Sequence, residues 1–379
     1  MKKTPCSLFE QAELSVLGLM SGTSADGLDI CRVEFSGFGK YPAYRVTYSD
    51  FIPYPEDFSA AFKRPLDLSG AGIAHWNMAW GKWVGTIVKA LPVSADIIAS
   101  HGQTLLHRPP DYTLQIGEAV CVAQISGMPV VCDFRTADVA LGGQGAPLIP
   151  VVDEFLLRRE EGAVIALNMG GIANLTYLPP RSSSDPVIAW DTGPANTLID
   201  KAVIEFTRGA AQYDDRGAFA RKGRLDPVLL DHLMEHPYLK QPVPKSAGQE
   251  QFGFDYYLDL KNIISLNNDN DWLSFIRTLT EFTAKSIHRE IISRLNDPGS
   301  VAVLYASGGG AENTFIMERL SELFGGTEIK KFDMPGIDSG SKEAFGFAYL
   351  GYLFLRQLPG NIPSVTGASR EAVLGKLVW

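Results

Sequence analysis

Cysteine and histidine are both scarce in this chain. Four cysteines (Cys6, Cys31, Cys121, Cys132) stand far apart with no CxxC pair, and the six histidines show no metal-ligand spacing. That pattern argues against a zinc site and a disulfide framework, and a reducing cytoplasm is the expected compartment. No run of about 18 apolar residues is present to span a bilayer. The basic start, Met1-Lys2-Lys3, is followed by polar residues where a secretory signal needs an apolar stretch. Positive charge is short as well: 34 Lys and Arg face 43 Asp and Glu, a net charge of −9. Nucleic-acid and anionic-membrane partners are therefore not expected. Several catalytic signatures are missing too. There is no GxxxxGK[ST] phosphate loop, no GxGxxG after a strand, and neither GxSxG nor HExxH. His288-Arg289-Glu290 lacks the aspartate of the protein-kinase catalytic loop, and no DFG accompanies it.

What is present is an ordinary globular composition, 45% hydrophobic and 20% charged over 379 residues. That length exceeds what one core comfortably supports, so two domains are expected. The chain is organised around residues 16–35. A short apolar run leads into the small, hydroxylated turn Ser21-Gly22-Thr23-Ser24-Ala25-Asp26-Gly27, and a second apolar stretch begins at Leu28. Strand, turn and strand predict a hairpin whose tip presents backbone N–H groups to an anion. Asp26 and Asp29 flank that tip, and a phosphate carried with Mg²⁺ would reconcile two carboxylates with an anion site.

Alternation predicts a third strand over 44–51. Ile73, Trp76, Trp80, Trp83, Ile87 and Leu91, spaced three and four apart, predict a helix with a buried aromatic face. A strand over 96–100 then runs into His101-Gly102-Gln103-Thr104, and His101 and His107 read either as site-lining or as ordinary surface residues. Short strands are expected at 113–116 and 129–134, followed by a glycine-rich loop over 133–150. The opening move then repeats: 164–178 is again strand, Gly-Gly turn and strand, with a third strand at 187–191 and a helix over 194–208. Residues 209–270 read as short helices and loops. A long helix spans 272–295, a strand at 301–306 opens into Ser307-Gly308-Gly309-Gly310, and a helix covers 342–355. The echo predicts two similar domains.

Four strand-to-turn points are candidates for chemistry: 22–29, 168–174, 190–196 and 306–313. Asn168, Gly170 and Gly171 lie on the second, where they would cradle phosphates opposite the first. Asp191 ends an apolar strand before a helix, where α/β folds place catalytic groups, and reads as a general base or as a helix N-cap. Gly308, Gly309 and Gly310 let a flat ligand lie against the backbone near a helix start.

These motifs, in this order, resemble those of the anhydro-N-acetylmuramic acid kinases, within the superfamily of sugar kinases, heat-shock 70 ATPases and actin. The resemblance rests on GLMSGTSADGLD (18–29), HGQT (101–104), TLQIGE (113–118), DFRTADVALGGQGAPLIP (133–150) and LNMGGIANL (167–175). DTGPAN (191–196), PKSAGQEQF (244–252), SGGGAEN (307–313) and SKEA (341–344) complete it. It implies an α/β fold of two similar actin-like (ribonuclease H-like) ATPase domains around a central cleft, 1–148 and 149–379, with the last residues packing back on the first. It further implies that Gly22, Thr23, Ser24, Ala25, Asp26, Gly27, Leu28 and Asp29 bind ATP phosphates, with Asp26 and Asp29 near Mg²⁺. Asn168, Gly170 and Gly171 would form the second phosphate loop, and Gly308, Gly309, Gly310 and Asn313 would hold the adenosine. Asp191 would be the general base. Thr104, Arg135, Gly143 and Glu343 would meet the amino sugar, 1,6-anhydro-N-acetylmuramic acid, and the protein would be a homodimer. Two positions depart from the family pattern. Ala25 replaces a larger apolar residue, and Ala195 replaces a glycine, which asks whether that turn needs a positive φ.

Overall fold

In a computed structural model the described residues are 5–379 except Thr23, Pro244 and Asn296; the side chains of Pro5 and Cys6 are also outside the description. The chain divides into two compact units, Met1–Leu156 with Asp333–Trp379, and Leu157–Phe332.

The first unit is built on β1 (Glu13–Ser21), β2 (Gly27–Ser36) and β3 (Ala43–Pro53), consecutive and antiparallel. β4 (Ile97–Arg108) and β6 (Val130–Cys132) extend the sheet in parallel from β1, and β5 (Tyr112–Ile116) pairs with β4. In the second unit β7 (Ala163–Met169), β8 (Ile172–Leu178) and β9 (Ile188–Pro194) are again consecutive and antiparallel. β10 (Val301–Ser307) and β11 (Glu328–Lys331) extend that sheet in parallel from β7. The orders 3-2-1-4-6 and 9-8-7-10-11 are the same arrangement made twice, the ribonuclease H-like topology of actin-like ATPases. β1 and β7 are almost wholly buried, as central strands covered on both faces must be.

The expected division at 148/149 is not where the compact units part. Residues 333–379 join the first unit because the helix Lys342–Leu355 is buried nearly all round and lies on β1, β2 and β4. Gly18 permits that approach: a methyl there would collide with the Ala344 carbonyl and come 2.6 Å from the Ala348 nitrogen. Gly351 makes the reciprocal contact, where a methyl would meet Ala99 Cβ at 2.6 Å. β12 (Lys376–Val378) then closes antiparallel on β6.

Two local expectations shift. The strand expected to end at 100 continues to Arg108, so the 101–104 motif lies within β4; Gly102, at φ 77°, bulges it, and β5 supplies the pairing that prolongs it. In the helix Gly70–Ala90, capped by Ser69, the fully buried stripe is Trp80, Val84 and Val88. Ile73, Trp76, Trp83, Ile87 and Leu91 only flank that stripe, partly buried against the same core.

Candidate active site

In the first unit, the β1–β2 hairpin places Gly22 and residues 24–29 at the end of the sheet; Thr23 lies outside the described residues. The turn is closed by Ala25 N donating to Gly22 O at 3.2 Å, with Ala25 at φ 50° and wholly buried. Gly27 is required by packing, since a methyl would stand 2.5 Å from the Phe51 ring. Leu28 is buried in the core, so only its backbone can face a ligand. Below the turn lies a buried polar network. Ser21 Oγ donates to Gln103 Oε1 at 2.5 Å and lies 2.5 Å from the Tyr54 hydroxyl. Trp80 Nε1 donates to that hydroxyl at 2.6 Å, and Gln103 Nε2 donates to Gly22 O at 3.1 Å. Every member has a partner, so the network stiffens the base of the loop.

Asp26 is exposed and accepts from Ser24 Oγ at 2.7 Å. Asp29 is half-buried, and its carboxyl is pushed up to about 6, first by burial and then by the charges of Asp26, Glu343 and Asp338. Among the described residues no group of three or more His, Cys, Asp or Glu side chains is placed to hold a metal ion. Asp26 and Asp29 therefore form no protein cage, but an acidic pair of this kind suits a hard cation that brings phosphate and water ligands of its own.

The residues expected to meet the sugar also belong to this unit. Arg135 Nη1 donates to Gly145 O at 2.7 Å and its Nε donates to His101 Nε2 at 3.0 Å. Burial lowers the Arg135 pKa to about 10, still well above neutrality, and the charge of Glu343 supports the cation. Glu343, exposed in the first turn of its helix, thus acts on both Asp29 and Arg135. Thr104 is half-buried and accepts from Gln115 Nε2 at 3.3 Å. Gly143 packs directly on the Asp138 carboxylate, where a methyl would collide. Asp138 is itself buried and accepts from Gly145 N, Asn361 Nδ2 and Thr366 Oγ1, each at 2.7 Å. The 133–150 loop is thereby pinned to the C-terminal segment.

In the second unit three of the expected motifs converge. The β7–β8 turn at Gly170-Gly171 is held by the turn after β9: Ala195 N donates to Gly171 O at 2.9 Å and Asn196 N to Gly170 O at 3.0 Å. Asn196 Nδ2 adds bonds to Gly170 O at 2.8 Å and Met169 O at 3.1 Å. Gly308, at φ 78°, sits where a methyl would meet Met169 O and Asn168 Oδ1, each at 2.7 Å, and Gly310 lies as closely on Met169 Cβ. Ser307 Oγ donates to Asn168 Oδ1 at 3.4 Å. Asn313 caps the helix Thr314–Phe324.

Asp191 lies within β9, which continues to Pro194, and the following helix starts only at Thr197. The Asp191 carboxylate therefore caps no helix. Its Oδ2 accepts from Ala247 N at 2.7 Å, its carbonyl accepts from the Tyr238 hydroxyl at 2.8 Å, and its N–H donates to Lys245 O at 3.2 Å. Burial raises its pKa to about 6, against the opposing pull of the Ala247 N–H, with Glu250 adding to the rise and Lys245 opposing it. A carboxylate held near neutrality is suited to take a proton at physiological pH. Ala195 has no positive φ; Gly193 carries it instead, at 138°, so alanine is accommodated at that turn.

A cavity of about 450 Å³ lies beside these loops, lined by Asn196, Asp200, Tyr213, Arg216, Gly309 and Asn313 among others. Asp200 is raised to about 6 by burial and by Asp214. Sequence reasoning included Asn196 only as the end of a motif and missed Asp200 and 213–216 altogether. Asp200 carries a faint signal, one helical turn beyond Asn196; residues 213–216 carry none, since they enter the cavity from a distant irregular segment.

A sequence model of the family described as anhydro-N-acetylmuramic acid kinase matches residues 14–379. Proteins named anhydro-N-acetylmuramic acid kinase are similar over nearly their whole length. That of Synechocystis sp. is 39% identical, covering 95% of this chain and 97% of its own, and that of Prochlorococcus marinus is 38% identical, covering 96% and 98%. Among solved structures, a ROK hexokinase from Thermus thermophilus aligns over 89% of this chain and 98% of its own, at 12% identity and a TM-score of 0.38.

Proposed function

The chain belongs to the anhydro-N-acetylmuramic acid kinase family, and on that premise we propose that it opens the anhydro ring of 1,6-anhydro-N-acetylmuramic acid and phosphorylates O6. Asp191 takes a proton from water as the water oxygen bonds to C1. The C1–O6 bond breaks, O6 takes the γ-phosphoryl group of ATP, and N-acetylmuramic acid 6-phosphate and ADP leave. The observation that carries this reading is the Asp191 carboxylate, oriented by the Ala247 N–H and raised to about 6 by burial.

The remaining roles follow. Gly22, Ser24, Ala25, Gly27 and the Leu28 backbone receive ATP phosphates, as does Thr23 outside the described residues. Asn168, Gly170 and Gly171 receive them from the second unit's turn, and adenosine enters the cavity beside Gly309 and Asn313. Asp26 and Asp29 would hold Mg²⁺ or its waters, and the ion would supply positive charge to the transferring phosphoryl group. Thr104, Arg135 and Glu343 meet the sugar, with Gly143 shaping their loop. The reaction belongs to cytoplasmic recycling of cell-wall amino sugars, carried out by a homodimer.

Adding the anhydrosugar to the protein with Mg-ATP is expected to release ADP in step with sugar phosphate. ATP hydrolysis that proceeds without sugar and is indifferent to it would overturn the reading in favour of an actin- or chaperone-type ATPase. The pH profile gives a second check. The folded Asp191 pKa lies above its ordinary value, so its base form is lost as pH falls through about 6. The acid limb of kcat/KM should accordingly lie near pH 6 and not near 4. A third expectation concerns Gly308→Ala, which adds a methyl against two oxygens at a positive φ. With ψ at 175° this is a conformation essentially reserved for glycine, and strain of about 1–3 kcal/mol should raise the KM for ATP roughly tenfold, with the sugar KM little changed.

A further inference from the structure

We propose that His101 is a positioning residue that ties the sugar-facing Arg135 to the end of β1, and so to the first phosphate loop; this rests on the function proposed above. His101 is 3% exposed, and both its ring nitrogens are engaged. Nδ1 lies 3.2 Å from the carbonyl oxygen of Ser21, the last residue of β1, and Nε2 lies 3.0 Å from Arg135 Nε. A carbonyl only accepts and a guanidinium only donates, so one arrangement satisfies both. The proton sits on Nδ1, Nε2 accepts, and the ring is neutral. An imidazolium would set two N–H groups against each other, and burial with the Arg135 charge pushes the His101 pKa down to about 3.

The ring has little freedom to turn. Phe347 lies against it with centroids 4.7 Å apart, and Phe134 backs Phe347 at 5.5 Å. Phe347 stands one helical turn after Glu343 on the helix Lys342–Leu355. His101 is thus the common neighbour of three site elements: the 133–150 loop through Arg135, the Glu343 helix through Phe347, and the phosphate turn through Ser21. Arg135 Nη2 makes no hydrogen bond among the described residues, which leaves it to a ligand acceptor, while Nε and Nη1 fix the plane. Losing the Nε2 acceptor would free that plane. Losing the Nδ1 donor would free the Ser21 carbonyl, which directly precedes the Gly22 carbonyl held by Gln103 Nε2.

Two substitutions separate the halves of the link. His101→Asn keeps a donor where Nδ1 stands and removes the acceptor for Arg135; His101→Gln keeps an acceptor where Nε2 stands and removes the donor to Ser21. Steady-state ADP release should show the sugar KM raised roughly tenfold in His101→Asn, with the ATP KM within about twofold. His101→Gln should show the reverse, and thermal midpoints identify properly folded variants. If both variants turn over with both KM values unchanged, or with both raised alike, His101 is a structural histidine and the proposal fails. If the wild-type protein releases no ADP with the anhydrosugar, the proposed function itself fails and takes this role with it.

Discussion

Asp191→Asn is expected to lower kcat by about 10²–10⁴-fold, the usual contribution of a positioned general base, while the KM for ATP stays near its wild-type value. Asparagine has the same shape and keeps an acceptor for the Ala247 N–H, so the local fold should survive. What disappears is the basic oxygen. The Tyr238 and Lys245 contacts are made with the Asp191 backbone and are indifferent to the substitution. Residual activity should lack the acid limb near pH 6, because the group that titrates there is gone. A variant that kept full turnover would show the base assignment to be wrong. One that kept the limb with lowered turnover would move it to another carboxylate, with Asp29, also raised to about 6, the first to test.

Lys245→Met is expected to cost about 3–5 kcal/mol of stability, as when one partner of a buried ion pair is removed, read as a lowered unfolding midpoint. Lys245 Nζ lies 2.9 Å from Glu290 Oε1, with the two side chains 2% and 1% exposed. The ammonium also donates to Tyr238 O at 3.1 Å and sits 4.4 Å from the centre of the Tyr238 ring. Without it, Glu290 keeps, among the described residues, Arg294 at 3.4 Å as its charged partner in a buried setting. Activity should fall too, because Lys245 O accepts from the Asp191 N–H and Tyr238 donates to the Asp191 carbonyl. The double variant Lys245→Met, Glu290→Met should recover most of the lost stability, since apolar residues of similar volume often replace a buried pair at little cost. Arg294 would still donate to Gln241 O at 2.5 Å. Failure of the double variant to recover would show that the ammonium's contacts with Tyr238 matter more than the charge pair.

Much of the architecture was legible because it is local. Short apolar runs and small-residue turns marked both hairpins, and each hairpin is a contact between neighbours in the chain. Asp191 stood out for the same reason, an acidic residue at the end of an apolar strand. Reading it as a base or a cap needed the strand's true end, and β9 runs three residues past it because β8 pairs as far as Pro194. The φ at Ala195 likewise could not be read from the residue, since Gly193 absorbs the turn.

By itself, then, the sequence determined the two antiparallel hairpins, the glycine turns and the place of Asp191, all set by interactions within a few residues. Only the tertiary structure decided what spans long separations. It seats the helix Lys342–Leu355 on β1, because Gly18 and Gly351 allow backbones to close where any side chain would hold them apart. It brings residues 213–216 to the cavity beside Gly309, and it sets His101 between Ser21 and Arg135. These pairings depend on burial and on which donor finds which acceptor, and those are properties of the packed chain that no short window of residues contains.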